Sequence, residues 1–163
     1  MRGIRRKEKA ITDSNEMKSI LEQAQYISVA MCLDNEPYLV TLSHGYERES
    51  NCIYFHCARE GKKIEILNQN SLVWGQAVID KGYVQGACDH LYATTQFKGR
   101  VTFLEDAEEK EHALRVMIHM LEENPDKVIA DQINEKSIKR VNIGRIDIEY
   151  MSGKKATEVI IQT

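Results

Sequence analysis

The apolar positions of this chain alternate between two spacings, every third or fourth residue and every second residue, and the switches between them mark the predicted elements. Met17, Ile20, Leu21 and Ala24 form the stripe of an amphipathic helix expected to end near Gln25. Asp13 and Glu16 precede the stripe at capping-box spacing, with Asp in place of the usual Ser or Thr. From Tyr26 the pattern becomes β-like. Strands are predicted over Tyr26–Leu33, Tyr38–Tyr46 and Cys52–Ala58, joined by the turn residues Asp34-Asn35-Glu36-Pro37 and the polar stretch Glu47–Asn51. Arg59-Glu60-Gly61 interrupts, and Lys62 to Asn70 reads as a short helix with Ile64 and Leu67 facing inward.

A fourth strand is predicted over Ser71–Asp80 and a fifth over Gln96–Glu105. Between them Lys81–Thr95, carrying Gly82, Gly86, Cys88, Asp89 and His90, is long for a hairpin and reads as a functional loop. Asp106–Glu123 has the strongest helical pattern, with Leu114, Met117, Ile118 and Leu121 on one face, and Asn124-Pro125 stops it. After an irregular or helical stretch, Val141–Met151 alternates as a last strand, with a slip at Gly144 read as a bulge. About six strands joined mostly in sequence, with no βαβ alternation, predict a mainly β fold with flanking helices, an antiparallel barrel.

Composition narrows the class. The 163 residues are 42% hydrophobic and 29% charged, the balance of a globular protein, and the length suits a single domain, residues 1–163, with residues 1–12 as a basic arm. A net charge of −3 argues against general nucleic-acid binding. The basic run Arg2, Arg5, Arg6, Lys7 and Lys9 reads as a solvated arm. No apolar segment follows it, and the apolar runs fall short of the ~20 residues that cross a bilayer. Cys32, Cys52, Cys57 and Cys88 include no CxxC pair and are expected to be thiols, so the reading is a cytoplasmic protein.

Chemistry gathers around one turn. The segment Cys52-Ile-Tyr-Phe-His-Cys-Ala58 runs into Arg59-Glu60-Gly61 and then Lys62-Lys63. A helix start offers free N–H groups and the positive end of a dipole, where acids are normally favoured. Two lysines there are electrostatically backward unless an anion such as a phosphate rests between them; taken alone, the stretch reads equally as two solvated lysines on a short helix. Phe55 and Cys57 share one face of the preceding strand, Tyr54 and His56 the other. On the strand before, Thr41 and Ser43 share a face opposite His44. Other groupings are less pointed. His44, His56, His90, Cys57 and Cys88 lack the short paired spacing of a zinc site. Cys57 and His56 point apart and do not make a nucleophilic pair. His112 and His119 read as a surface or dimer-contact pair, Trp74 as core, and Asp89 and His90 as plain loop residues, with supply of a proton to a ligand as the lesser alternative.

The order of elements, with "YLVTLSHGY", "IYFHCAREGKKIEIL", "ACDHLYATTQFKGRVTFLED" and "IGRIDIEYMSGKK", resembles the pyridoxamine 5′-phosphate oxidase-like FMN-binding split β-barrels, particularly the branch of nitroimidazole-resistance proteins. The resemblance spans essentially the whole chain, opening "MRGIRRKEKAITD" included, and is most specific at "IYFHCAREGKK". It implies a homodimer with FMN at its interface. Lys62 and Lys63 would meet the phosphate, helped by backbone near Ala58. Thr41, Leu42, Ser43 and His44 would line the isoalloxazine edge, largely through main-chain groups, and Phe55, His56 and Cys57 the ribityl and phosphate side. Tyr92, Thr94, Thr95 and Gln96 would approach the ring from the second subunit. The chain departs from the pattern where relatives often have Pro at Thr41, Asn at Ser43, Ser at Cys57 and, in the resistance branch, His at Lys62.

The implied activity is a flavin-dependent oxidoreductase that takes electrons from NAD(P)H to a small nitroaromatic- or quinone-like acceptor. No GxGxxG is present, so a nicotinamide would bind transiently. The alternatives are a non-catalytic flavin-binding module, a deazaflavin in place of FMN, and a haem-binding split barrel with His44 or His90 as axial ligand.

Overall fold

A computed structural model of the chain describes residues 4–163. One antiparallel sheet of eight strands carries the architecture: β1 (Ala10–Ile11), β2 (Ile27–Leu33), β3 (Glu36–Leu42), β4 (Gly45–Glu47), β5 (Cys52–Cys57), β6 (Leu72–Val84), β7 (Asp89–Phe103) and β8 (Asn142–Lys155). The strands run in the order β3-β2-β6-β7-β8-β5-β4, with β1 added onto β8. β3 and β4 thus lie at opposite edges of the sheet, yet Ser43 and His44 alone join them. Three Cα steps span at most about 11 Å, so the edges must meet there and the sheet must curl into a barrel.

Closure is incomplete. β4 pairs with β5 only over Cys52–Tyr54, which leaves the Phe55–Cys57 half of β5 facing the bare edge of β3 across an open seam. The predicted single strand Tyr38–Tyr46 is therefore two strands with a corner at Ser43-His44.

Helices cap this barrel. α1 (Ser14–Gln23), started by Asp13 accepting from the Asn15 amide at 2.8 Å, buries Met17, Ile20 and Leu21 against β6 and β7. α2 (Lys62–Gln69) begins at the seam and buries Ile64, Ile66 and Leu67. α3 (Ala107–Leu121) covers β4 and β5 from outside, with Ala113 and Met117 on Cys52, Tyr54 and Ile143. The irregular stretch after it is α4 (Pro125–Gln132) and α5 (Glu135–Arg140).

Inside the barrel two phenylalanines lie flat over glycines of neighbouring strands: Phe97 over Gly75 and Phe55 over Gly144. An added Cβ at Gly75 would meet Phe97 Cε1 at 2.7 Å, far inside ordinary contact distance. Gly144 is thus a packing position, and the bulge lies instead at Glu149, where the register shifts between Lys98 and Gly99.

Three more expectations change. Lys81–Thr95 is mostly strand: β6 runs to Val84, β7 starts at Asp89, and the turn between them carries Gly86 and Cys88 with positive φ. His90 Nε2 there lies 2.7 Å from Asp80 Oδ1, across the hairpin. Trp74 faces out of the barrel, edge-on to Tyr150 at 6.0 Å, while Val73 beside it is buried. The N-terminal arm is partly built in: Ala10 and Ile11 pair with Lys154 and Gly153, and buried Lys9 sits 3.6 Å from Asp89. Arg2 lies outside the described residues.

Candidate functional site

At the seam, β5 ends at Cys57, Gly61 turns the chain with φ +117, and α2 starts at once. That φ is open to glycine and strained for other residues. No side chain caps the helix; the Ile64 and Glu65 amides close back on the Gly61 carbonyl at 2.9 and 3.1 Å. By the geometry of a first turn, the Lys62 and Lys63 amides stay outside the helical ladder.

The two lysine side chains diverge. Lys62 Nζ lies 2.9 Å from Glu36 Oε1 and 5.0 Å from the Tyr38 ring centroid, both on β3. Lys63 Nζ rests 5.4 Å from the Phe55 ring centroid, on β5. The pair straddles the seam, one cation to each edge.

The turn between β5 and α2 is pinned from behind. Asn142 Nδ2 donates to the Ala58 carbonyl at 3.2 Å and reaches Cys57 Sγ at 3.6 Å. Arg59 donates to the Arg140 carbonyl at 3.3 Å and to that of Lys139. Burial pushes the Cys57 thiol up, against the pull of the Lys63 charge and the Asn142 amide. The hydrogen bond and charge of Lys62 hold Glu36 below the usual carboxylate range.

Other predicted residues separate by strand face. Phe55 is in the core, with Cys57 on the same interior face, and His56 projects oppositely, so only its backbone borders the seam. Thr41 and Ser43 are exposed and Leu42 turns inward. His44 is fully buried: its Nε2–H donates to the Leu21 carbonyl at 2.9 Å, and Nδ1 has no partner among the described residues. It is a corner post, with no surface for a ligand. Thr95 is likewise internal, donating to the Met17 carbonyl at 2.9 Å. Thr94 donates to the Lys154 carbonyl at 3.2 Å, Tyr92 lies under Lys154 Nζ, and Gln96 is exposed.

Thr41 and Gln96 belong to one row on the barrel's outer face. Thr41 pairs with Ser28, Ser28 with Gln76, and Gln76 with Gln96. Alongside runs a cleft of about 460 Å³, lined by Ser28, Gln76 and Gln96 together with Ala30, Leu39, Trp74 and Val78, and no charged side chain. Leu39, Val78 and Tyr150 expose 65%, 42% and 42% of their surface on this face, an apolar patch that calls for a cover. Sequence reasoning missed Glu36, Tyr38 and Asn142. Each lies far along the chain from the lysine turn, and nothing in local spacing ties them to it.

An antiparallel barrel open along one seam, with a lysine-paired helix start across the opening, defines this chain as a split barrel. The chain belongs to the pyridoxamine 5′-phosphate oxidase family, whose sequence model matches residues 13–155. No curated protein matches it. Among solved structures, it is similar to a candidate 5-nitroimidazole antibiotic resistance protein of Bacteroides thetaiotaomicron, at 29% identity and TM-score 0.75, covering 89% of this chain and 85% of that one. The flavocytochrome Anf3 of Azotobacter vinelandii shares the fold at TM-score 0.78 and 18% identity, over 98% of this chain and 75% of that one. An FAD-binding protein of Mesorhizobium loti shares it at TM-score 0.64 and 24% identity, over 88% and 95%. Among the described residues, no helix is long and apolar enough to cross a membrane.

Proposed function

We propose that this chain is an FMN-binding flavoprotein that works as a homodimer and passes electrons from NAD(P)H to a small nitroaromatic- or quinone-like acceptor. The observation that carries the reading is the uncapped, lysine-bearing start of α2 lying across the seam. Two ammonium groups flank the helix start, one toward each lip of the seam, and with the two free amides between them they supply the charge and donors that a phosphate monoester takes. The Asn142 and Arg59 bonds pin the turn that carries the helix start, so its backbone needs little ordering on binding.

Tyr38, under Lys62, is three residues from Thr41, about 10 Å of strand. A ligand anchored at the lysines therefore extends along β3 to the Thr41–Ser43 backbone. Thr41 and Gln96 of one subunit lie three strand spacings apart, about 14 Å. That gap favours Tyr92, Thr94 and Gln96 reaching the ring from a second copy, whose approach would also cover the apolar outer face. Thr95 and the His44 side chain take structural parts in this reading. The bound flavin supplies the redox chemistry; the chain binds, orients and shields it. A cytoplasmic setting fits four cysteines that are all free thiols. Burial of His44 and the engagement of His90 with Asp80 weigh against either as a haem ligand.

Titration of the purified chain with FMN, followed by flavin fluorescence, tests the site. Lys62→Ala with Lys63→Ala is expected to weaken FMN binding by at least about tenfold. Unchanged affinity removes the phosphate assignment. Stoichiometric FMN that neither nicotinamide reduces would leave a non-catalytic flavin-binding module.

A further inference from the structure

Lys62 is already engaged. Its ammonium lies 2.9 Å from Glu36 Oε1, and the carboxylate belongs to β3 on the far side of the seam, 26 residues upstream. A carboxylate paired with the cation of an anion site is unfavourable for binding, since it occupies the charge the anion needs. We infer that Glu36 is a latch on the phosphate site: it holds Lys62 across the seam until a dianionic phosphate monoester displaces it, and so lowers the affinity for phosphorylated flavin while leaving unphosphorylated flavin untouched.

The inference rests on the phosphate site proposed above and adds a specificity-determining residue to it. Side-chain exposures of 52% for Lys62 and 73% for Glu36 put the pair in water, where such contacts are weak and exchange readily. The latch therefore releases without disturbing the fold. A phosphate dianion offers Lys62 more charge than one carboxylate, plus the α2 amides behind it. Glu36 is ionised at neutral pH like any exposed glutamate, and Lys62 holds it further below the usual carboxylate range. If Glu36 instead positioned Lys62 for the ligand, removing its charge would weaken phosphate binding, so the sign of the effect decides between the two roles.

The experiment measures dissociation constants for FMN and riboflavin with the full chain, Glu36→Gln, Lys62→Ala, the Glu36→Gln/Lys62→Ala combination and the Lys62→Ala/Lys63→Ala variant. Glu36→Gln is expected to tighten FMN about two- to fivefold, the scale of an exposed ion pair, with riboflavin unchanged. In the Lys62→Ala background the gain should vanish, because Glu36 acts through Lys62. Weaker or unchanged FMN binding by Glu36→Gln overturns the latch, as does equal tightening of riboflavin or a gain that persists without Lys62. Parent-like FMN binding by Lys62→Ala/Lys63→Ala overturns the phosphate site itself, and the latch with it.

Discussion

Gly144→Ala tests whether the barrel depends on its glycine–phenylalanine pairs. An alanine Cβ at this position would meet Phe55 Cε1 at 2.5 Å and Cε2 at 2.8 Å, with Cζ closer still. Carbon atoms rest about 3.5–4.0 Å apart, so the ring must withdraw by about 1 Å or more. It has nowhere to go: Phe55 is 1% exposed, and interiors packed at crystal density do not yield by that much. Overpacking of this kind typically costs about 1–3 kcal/mol, and the lack of free space argues for about 3. For a chain of 163 residues that is a fall in Tm of about 6–12 °C. Urea denaturation of parent, Gly144→Ala, Phe55→Leu and the double variant reads the coupling directly. The double variant should be at least about 1 kcal/mol more stable than the sum of the singles, because the smaller side chain vacates the space the new methyl needs. A loss below about 0.5 kcal/mol for Gly144→Ala, or simple additivity, would show that the close packing is not the constraint argued here. Lys63 rests over the same ring, so a displaced Phe55 should also disturb the phosphate cradle and weaken FMN titration in step with stability.

Two further outcomes can be checked on the same preparations. Leu39→Glu puts a charge on the most exposed residue of the apolar face, and by light scattering it should leave a folded chain of 18.7 kDa where the parent has twice that mass; a parent already at the single-chain mass in micromolar solution refutes the dimer. Burial lowers the pKa of His44 below 6.5, against the hydrogen bond to Leu21, so the unfolded chain takes up the proton first and stability falls as pH drops below about 6.5. His44→Gln should flatten the change in urea midpoint between about pH 7.5 and about pH 5.5, and an unaltered slope would mean that the buried Nδ1 is not what titrates.

What the sequence made legible follows the range of the interactions involved. α1, α2 and α3 were readable because each has a local stripe and a local start or stop, such as Asp13, Gly61 or Pro125. The lysine turn was readable for the same reason: charge, glycine and strand end fall within a few residues. The corner at Ser43-His44 was not, because a barrel closes through pairing between distant strands, and the local pattern continues smoothly through it. The β6–β7 hairpin was missed because Asp80, Lys81 and Gly82 look like turn residues, whereas pairing of Tyr83 with His90 and Val84 with Asp89 carries both strands past them. Gly144 was misread as a bulge because its reason for being glycine is a ring 89 positions upstream. Trp74 deceives because both faces of β6 are apolar, one toward the core and one toward the outer cleft, so alternation cannot orient it.

The location of the proposed ligand follows from the one thing an incomplete barrel leaves undone. Among the described residues β3 pairs with β2 alone, and Phe55–Cys57 of β5 pair with β8 alone, so both lips of the seam present unsatisfied backbone groups. Bare edges invite unwanted pairing, and this chain blunts only part of β3, with Pro37 and the charge of Glu36 at one end. Further along, at Thr41 and Leu42, the edge stays open. A planar molecule with acceptors and donors along its rim can satisfy such an edge without extending the sheet, provided something fixes it at one end. Cationic side chains set at a helix start on the lip do so through charge, which acts before fine shape complementarity is achieved. The seam and the lysines therefore make sense together: closing the barrel would remove the rail, and neutralising α2's first turn would remove the anchor.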